Sequence, residues 1–262
     1  MAIWDWCGGP NMFSKTFKVR LKSGEPLLGT VISTPEPDIA EFMSTLGFDW
    51  FWIDMEHCPL EIKSVQTILQ AIRGSDVASL VRVPWNDPVY IKRVLDLGPD
   101  GVIIPWVNSR TDAENAIRYC MYPPKGIRGC GPRRPVWFRV FTEYVTRADE
   151  EVVIVTQIET REALENIRGI LSVKGLDATM IGPADLSASL GFLGNPKSPV
   201  VTEAIKRILE AHKGTDVVPG IFSSADDAGK YLEMGFKLIC IGSDLDFLAR
   251  GAKEALNKIK KA

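Results

Sequence analysis

The chain alternates short apolar, strand-like segments with helix-like segments, and this alternation restricts its fold more than any other feature. The strand-like segments span residues 27–33, 49–53, 77–83, 101–107, 152–158, 177–181, 216–222 and 237–242. The helix-like segments span residues 37–46, 61–73, 87–97, 110–120, 160–170, 200–212, 225–234 and 245–260. Apolar strands in strict alternation with helices indicate a parallel sheet buried on both faces. Eight such units predict an α/β fold, a closed (β/α)8 TIM barrel; a doubly wound open sheet is the alternative.

The length of the chain agrees with one barrel. Its 262 residues match the roughly 250 residues typical of this fold. We therefore predict a single barrel domain over residues 1–262, with residues 1–15 as an N-terminal extension. Trp4 and Trp6 in that extension are expected to cover another surface.

Local signals predict several boundaries. Asp87-Pro88 should begin the third helix, and Gly98, Gly169 and Gly235 stand where helices should end. The long connection 121–148 is rich in Pro, Gly, Arg and aromatic residues. A connection of this length is expected to be functional or to contact another subunit.

Charge and cysteine usage exclude several classes of protein. The 31 basic and 33 acidic residues are interspersed, so nothing indicates a nucleic-acid or membrane partner. The N-terminus lacks the pattern of a signal peptide, and the longest apolar runs are too short to cross a bilayer. Five cysteines without CxxC spacing support neither a disulfide framework nor a zinc site. We expect a cytoplasmic protein.

Polar residues stand where several predicted strands end, which is where barrel enzymes place their active sites. Glu159 and Asp185 offer hard oxygen ligands suited to Mg²⁺ or Mn²⁺. Helix N-capping explains both positions equally well. Arg82 could grip a substrate carboxylate, or it could form an ion pair with Glu56.

The two histidines have different expectations. His57 shares its loop with two acidic residues and is a candidate for proton transfer. His212 lies near the end of a surface helix and is expected to be solvated. No lysine ends a predicted strand, so Schiff-base catalysis lacks its nucleophile. An enolate would then need a metal ion and Arg82 to stabilise its charge.

Five segments resemble the HpcH/HpaI family of class II pyruvate aldolases. They are WIDMEHCPLE (52–61), VRVPWNDPVYIKRVLDLG (81–98), YPPKGIRG (122–129), QIETREALENI (157–167) and IGPADLSASLG (181–191). The resemblance runs from about residue 27 to 255. It implies a metal-dependent aldolase on a TIM barrel that cleaves 4-hydroxy-2-oxo acids or 2-keto-3-deoxy sugar acids to pyruvate and an aldehyde. It also implies a homo-oligomer, a hexamer with the C-terminal helix exchanged between subunits.

The resemblance assigns roles to matching positions. Glu159 and Asp185 would bind a divalent metal, Mg²⁺ or Mn²⁺, with Co²⁺ as a further candidate. Arg82 would hold the enolate oxygen of a metal-bound pyruvate enolate, and His57 would deprotonate the aldol hydroxyl with Asp96 as its acidic partner. The remaining substrate-binding positions are Gln157, Gly182, Pro183, Ala184 and Phe222.

The departures from the family concern the aldehyde side. Phe222 stands where a smaller aliphatic residue usually borders the aldehyde pocket, and the segment 131–141 is bulkier and more basic than usual. Arg133 and Arg134 in that segment are expected either to bind an acidic aldehyde tail or to pair with a neighbouring subunit. The alternatives to an aldolase are an oxaloacetate decarboxylase or another enolate lyase, and a non-catalytic barrel that binds a 2-oxo acid.

Overall fold

Eight parallel strands form a closed barrel in the computed structural model, which describes residues 15–260. Each strand pairs with the next one along the chain, and the eighth pairs with the first. The strands are β1 (Leu27–Ile32), β2 (Trp50–Asp54), β3 (Ala78–Arg82), β4 (Gly101–Ile104), β5 (Val153–Ile158), β6 (Ala178–Ile181), β7 (Val218–Ser223) and β8 (Leu238–Ser243). The predicted (β/α)8 TIM barrel is confirmed, and the open sheet is excluded.

Helices surround the barrel. They are α1 (Lys15–Lys22), α2 (Pro37–Ser44), α3 (Ile62–Ala71), α4 (Pro88–Leu95), α5 (Arg110–Cys120), α6 (Phe141–Glu151), α7 (Arg161–Glu165), α8 (Ile167–Leu171), α9 (Pro183–Ser189), α10 (Pro199–Ala211), α11 (Ala225–Met234) and α12 (Asp244–Lys260). Every predicted strand and helix has a counterpart. The sequence did not predict α1, α6 or α9, and the helix expected over 160–170 divides at Asn166 into α7 and α8.

Two apolar layers hold the barrel together. The outer layer lies between the strands and the helices, where helix faces pack on outward-pointing strand residues. The inner layer fills the barrel with alternate strand residues such as Trp50, Leu80 and Met180. Phe17 and Leu21 of α1 join the inner layer, so this helix closes the end of the barrel at which the strands begin.

The predicted boundary signals are confirmed in part. The Asp87 carboxylate accepts hydrogen bonds from the backbone N–H groups of Val89 and Tyr90 at the start of α4. Gly235 ends α11 with φ 113°, the left-handed conformation that favours glycine. The expected stop at Gly169 is wrong, because this residue lies inside α8.

His212 is buried rather than solvated, so that expectation is wrong. Its Nε2 lies 2.9 Å from the Thr179 hydroxyl, and its Nδ1 lies 2.8 Å from the carbonyl oxygen of Ile208. Burial lowers the pKa of His212, which favours the neutral ring. The residue follows α10 and joins this helix to β6.

The long connection after α5 lies at the end of the barrel where the strands begin. It joins the end of α5 to the start of β5 and contains α6. Arg134 is buried there and donates to the carbonyl oxygens of Leu97 and Leu69 at 2.8 and 3.0 Å. Arg134 therefore braces the ends of two helices within its own chain, which corrects both expectations stated for it. Arg133 is exposed nearby.

No helix in the described part of the chain is long and apolar enough to cross a membrane. Trp4 and Trp6, which were expected to cover another surface, lie outside the described residues.

Candidate active site

The candidate site lies at the opposite end of the barrel, where the strands end. Asp54 ends β2, Arg82 ends β3, and Gln157 is the next-to-last residue of β5. Parallel pairing places Asp54 beside Arg82 in register. Polar groups from neighbouring strands therefore meet at one rim, as expected for a TIM-barrel enzyme.

The Arg82 guanidinium is the centre of this cluster. Its Nε and one terminal nitrogen donate to the two oxygens of Asp54 at 2.8 and 2.6 Å. The other terminal nitrogen lies 2.9 Å from a Glu56 oxygen and donates to Gln157 Oε1 at 3.2 Å. The guanidinium also lies over the Trp52 ring, 4.8 Å from its centroid. These contacts hold Arg82 in place. The ion pair with Glu56, one of the two interpretations of Arg82, is confirmed, and Asp54 is an additional partner.

Asp54 also organises the loop that follows β2. Its carboxylate accepts hydrogen bonds from the backbone N–H groups of Glu56 and His57 at 3.0 and 3.4 Å. The thiol of Cys58 donates to the same carboxylate at 3.2 Å. The His57 side chain is exposed on this loop. His57 is thus positioned through its backbone, by the same acid that holds Arg82.

Glu159 is buried and turned into the site. Its Oε1 accepts from the backbone N–H of Trp106 at 2.8 Å, and its Oε2 accepts from Gln157 Nε2 at 2.7 Å. The N-cap of α7 is Thr160, whose hydroxyl accepts from the backbone N–H of Ala163. Capping therefore does not explain Glu159.

Asp185 lies in the first turn of α9, whose N-cap is Gly182 and makes no side-chain cap. A Cβ atom on Gly182 would lie 3.4 Å from Glu159 Oε2 and 3.5 Å from Asp185 Oδ2. The two carboxylates therefore face the same small space, which the missing side chain of Gly182 leaves open.

The electrostatics of the site show an excess of negative charge. Burial, together with the neighbouring carboxylates Asp54 and Asp185, raises the pKa of Glu56 to about 7. Burial, with Glu56 and Asp185 nearby, likewise raises the pKa of Glu159 to about 7. Burial also opposes ionisation of Asp54, but the hydrogen bonds and charge of Arg82 outweigh it and lower the pKa. One guanidinium does not balance this group of acids.

Among residues 15–260, no set of three or more His, Cys, Asp and Glu side chains is placed to hold a metal ion. A metal at this site would rest on the pair Glu159 and Asp185, with its other ligands from water or substrate.

Comparison with known proteins identifies the family. The family model described as HpcH/HpaI aldolase/citrate lyase matches residues 29–250. The chain belongs to this family. It is 42% identical over 241 residues to a 4-hydroxy-2-oxo-heptane-1,7-dioate aldolase of Salmonella dublin, covering 90% of this chain and 91% of the relative.

Solved structures agree. A HpcH/HpaI aldolase/citrate lyase family protein from Burkholderia cenocepacia J2315 superposes with a TM-score of 0.91 at 34% identity, covering 94% of this chain and all of the other. The citrate synthase SbnG superposes with a TM-score of 0.84 at 27% identity, covering 94% and 97% of the two chains. The protein is therefore a carbon–carbon lyase of the aldolase kind, and the non-catalytic alternative is set aside.

Of two other residues assigned through the HpcH/HpaI resemblance, Asp96 lies apart from the cluster and Phe222 borders it. Asp96 follows the last turn of α4, at the end of the barrel where the strands begin, and contacts Arg128 at 3.1 Å. The structure thus does not bring Asp96 to His57 within one chain. Phe222 lies near the end of β7, with its ring edge against Trp52 at a centroid distance of 6.4 Å.

Two residues of the site, Asp54 and Trp106, were not predicted from the sequence. Asp54 has no role among the sequence-based predictions, although an acidic residue that ends a strand next to the strand of Arg82 indicates such a pairing. Trp106 holds Glu159 through its backbone with φ 56°, an unusual conformation for a residue other than glycine. Nothing in its side-chain type indicates that backbone role.

Proposed function

We propose that the protein is a divalent-metal-dependent aldolase that cleaves 4-hydroxy-2-oxo acids, or 2-keto-3-deoxy sugar acids, to pyruvate and an aldehyde. The observation that carries this proposal is the pair of carboxylate oxygens, from Glu159 and Asp185, that face one space beside the fixed guanidinium of Arg82. The substrate named for the Salmonella dublin relative belongs to the same class of 4-hydroxy-2-oxo acids.

The residues present fit a divalent cation. Both donors are hard carboxylate oxygens, the type that Mg²⁺ and Mn²⁺ prefer, and Co²⁺ is also compatible. Burial and the neighbouring carboxylates raise the pKa of both Glu56 and Glu159 to about 7, so a bound cation would favour their ionised forms. Glu159 and Asp185 would hold the ion. When bound, it would supply positive charge to the carboxylate and keto oxygens of pyruvate and to the enolate derived from it.

The protein groups around the space have separate tasks. Arg82 would direct its terminal N–H group toward the keto oxygen and stabilise the negative charge that develops there. Gln157, which contacts both Arg82 and Glu159, keeps these two groups in a fixed relation. The turn of Gly182, Pro183 and Ala184 begins α9, and the backbone N–H groups of Gly182 and Ala184 would bind the pyruvate carboxylate, since Pro183 has none.

Proton transfer is assigned to His57. The imidazole would take the proton of the C4 hydroxyl, the C3–C4 bond would break, and the C4 oxygen would become the aldehyde oxygen. The electron pair of the broken bond would remain with C3 as the pyruvate enolate, which is then protonated at C3. Asp96 can act as the acidic partner of His57 only across a subunit boundary, because it lies at the far end of α4 in its own chain.

A second candidate reaction is decarboxylation of oxaloacetate. It yields the same enolate and uses the same Arg82 and acidic pair, but it needs no aldehyde pocket. The structural similarity to a citrate synthase supports this second candidate, since a protein with the same scaffold carries out related carbon–carbon chemistry.

We further propose a cytoplasmic homo-oligomer, a hexamer in which α12 packs on a neighbouring subunit. From Gly251 to Lys260 every residue of α12 is exposed in the single chain. A helix with an exposed apolar face is poorly stable unless another surface covers it.

The test is a metal titration of Glu159→Gln and Asp185→Asn. Both variants should lose Mn²⁺ binding, measured by calorimetry, and should lose pyruvate release from a 4-hydroxy-2-oxo acid. Glu203→Gln, at an exposed carboxylate of α10, is the matched control and should retain both. Wild-type turnover that persists after EDTA treatment would refute the metal-dependent mechanism.

A further inference from the structure

An exposed pair of tryptophans lies at the catalytic rim. Trp85 follows β3 and Trp106 follows β4, and their rings lie 5.6 Å apart between centroids at an interplanar angle of 32°. The two residues are 50% and 45% exposed. Indole rings are large and apolar, so leaving two of them open beside an active site favours a ligand that covers them.

The backbone of Trp106 connects this pair to the carboxylate site. Trp106 has φ 56°, and its N–H donates to Glu159 Oε1 at 2.8 Å. Its side chain is also among the groups that lower the pKa of Glu56. The ring is therefore held next to the acids that we assign to the pyruvate half of the substrate. An unusual backbone conformation at such a place is a reason to look for a function.

The charged residues around this rim indicate which kind of ligand the tryptophan pair would accept. The segments that join each strand to the following helix contain no Lys or Arg, and they contain Glu36, Glu56, Glu61, Asp87 and Glu159. Lys197, in the longer connection after α9, forms an ion pair with Asp227 at 2.7 Å.

Arg82 is already engaged by Asp54, Glu56 and Gln157. The connecting segments thus offer no counter-charge for an acidic tail on the aldehyde.

We propose that Trp85 and Trp106 form the aldehyde subsite, and that the preferred aldehydes are uncharged and carry a planar, aromatic tail. This inference rests on the proposed aldolase function. It differs from the acidic aldehyde that the name of the Salmonella dublin relative implies, because cleavage of that dioate leaves a carboxylate on the aldehyde fragment. The planar tail would stack on the indole pair while the carbonyl carbon faces the pyruvate enolate.

The test compares three aldehydes in condensation with pyruvate: benzaldehyde, cyclohexanecarbaldehyde and succinic semialdehyde. They separate a planar apolar tail, a non-planar apolar tail of similar size, and an acidic tail. The wild type should show the highest kcat/KM with benzaldehyde. A higher value with either of the other two aldehydes would overturn the proposal.

Trp85→Leu should lower kcat/KM for benzaldehyde by about 3- to 10-fold, the size expected for the loss of an aromatic contact, mainly through KM. The same variant should change the value for succinic semialdehyde by less than about 2-fold, and Trp85→Phe should retain most of the preference. The matched control is Trp137→Leu, an exposed tryptophan at the other end of the barrel, which should behave as wild type. An equal loss for all three aldehydes, or a change in oligomeric mass, would show that Trp85 acts in assembly and would overturn the subsite.

Exchange of the pyruvate methyl protons in D₂O separates this proposal from the one on which it rests. Exchange reports enolate formation without any aldehyde. If the wild type does not exchange these protons, the aldolase proposal fails. If exchange is normal in wild type and Trp85→Leu but the aldehyde preference is unchanged by the substitution, only the subsite fails.

Discussion

At the scale of single residues, the Arg82 guanidinium organises the site, because several acidic and polar side chains bind to it. Arg82 donates two N–H groups to Asp54, and its remaining terminal nitrogen forms an ion pair with Glu56 and donates a hydrogen bond to Gln157. Arg82 is therefore rigid, and a planar guanidinium held in this way can meet a developing oxyanion without reorganising. Arg82 has only a coulombic effect on Glu159, and within residues 15–260 this carboxylate accepts hydrogen bonds from the Trp106 N–H and from Gln157, so a second cation is expected beside it.

His57 is the residue whose replacement should separate cleavage from binding. His57→Ala should lower kcat for cleavage of a 4-hydroxy-2-oxo acid by about 10²–10⁴-fold, because general base catalysis is typically worth that much. Inhibition by pyruvate should be nearly unchanged, since the carboxylates and Arg82 remain. Steady-state kinetics with pyruvate as inhibitor measure both. A fall of less than about 10-fold would remove His57 from proton transfer.

The raised pKa of Glu159 predicts a pH dependence of stability. Its folded-state pKa of about 7 lies above its ordinary value of 4.5, so the folded metal-free protein binds a proton that the unfolded chain releases. This contribution to stability is present below pH 4.5 and is lost as the pH rises through about 7. Divalent metal should restore stability, and more so above pH 7 than at pH 5.5, because it binds the ionised carboxylates.

Thermal unfolding at both pH values, with and without Mn²⁺, measures this effect. Burial lowers the pKa of His212, so this residue works in the opposite direction and stabilises the fold above its ordinary pKa. The comparison is therefore the difference between wild type and Glu159→Gln, which cannot titrate at this position. Glu56, Asp185 and Arg82 face the same group, so the difference reports the titration of Glu159 together with its coulombic coupling to them. Equal pH profiles for the two proteins would contradict the assignment.

At the scale of elements, β1 depends on a residue without a side chain. A Cβ atom on Gly29 would lie 2.3 Å from the Trp50 ring, which fills the neighbouring position of the barrel interior. Gly29→Ala should therefore lower the free energy of unfolding by about 1–3 kcal/mol or more, measured by urea denaturation. Gly229→Ala in α11 is the control, since nothing lies within 4 Å of its Cβ position. That substitution should be neutral or stabilising by up to about 1 kcal/mol.

The pattern of apolar residues was sufficient to predict the barrel, because each strand is buried on both faces and each helix keeps one apolar face. It was not sufficient for α6, whose segment looks like a loop: Pro, Gly and Arg precede it and its apolar residues are few. His212 was misjudged for a related reason, since its partner Thr179 is distant in sequence.

The candidate site divides in the same way. Glu159, Asp185 and Arg82 were predicted because each stands at the end of an apolar strand or shortly after it, a position that the sequence displays directly. The tasks of Asp54 and Trp106 were not predicted, because they act through hydrogen bonds that depend on the barrel being closed. The position of a residue in the sequence shows whether it lies at the rim, but it does not show which other site residues it hydrogen-bonds to.

At the scale of the whole molecule, the exposed apolar residues of α12 lead us to expect that this helix packs on a neighbouring subunit. Leu245, Leu248, Leu256 and Ile259 repeat at helical spacing and are 50%, 65%, 54% and 75% exposed. The double variant Leu248→Glu and Leu256→Glu should lower the mass measured by light scattering, with circular dichroism unchanged. Lys253→Glu, on the same helix, is the control and should keep the wild-type mass. An unchanged mass in the double variant would show that this face is not an interface.

The placement of Arg134 has a consequence for engineering. Arg134 and its connection brace the base of the barrel, whereas Arg82 and the acidic pair of the same chain lie at the opposite rim, so substitutions at the rim leave this brace in place. A library that randomises only the exposed positions 85 and 106 would alter acceptor choice, because it leaves the buried Val83 and Val107 and the Asp87 cap of α4 unchanged. Tags or fusion partners, conversely, are best kept away from the braced base.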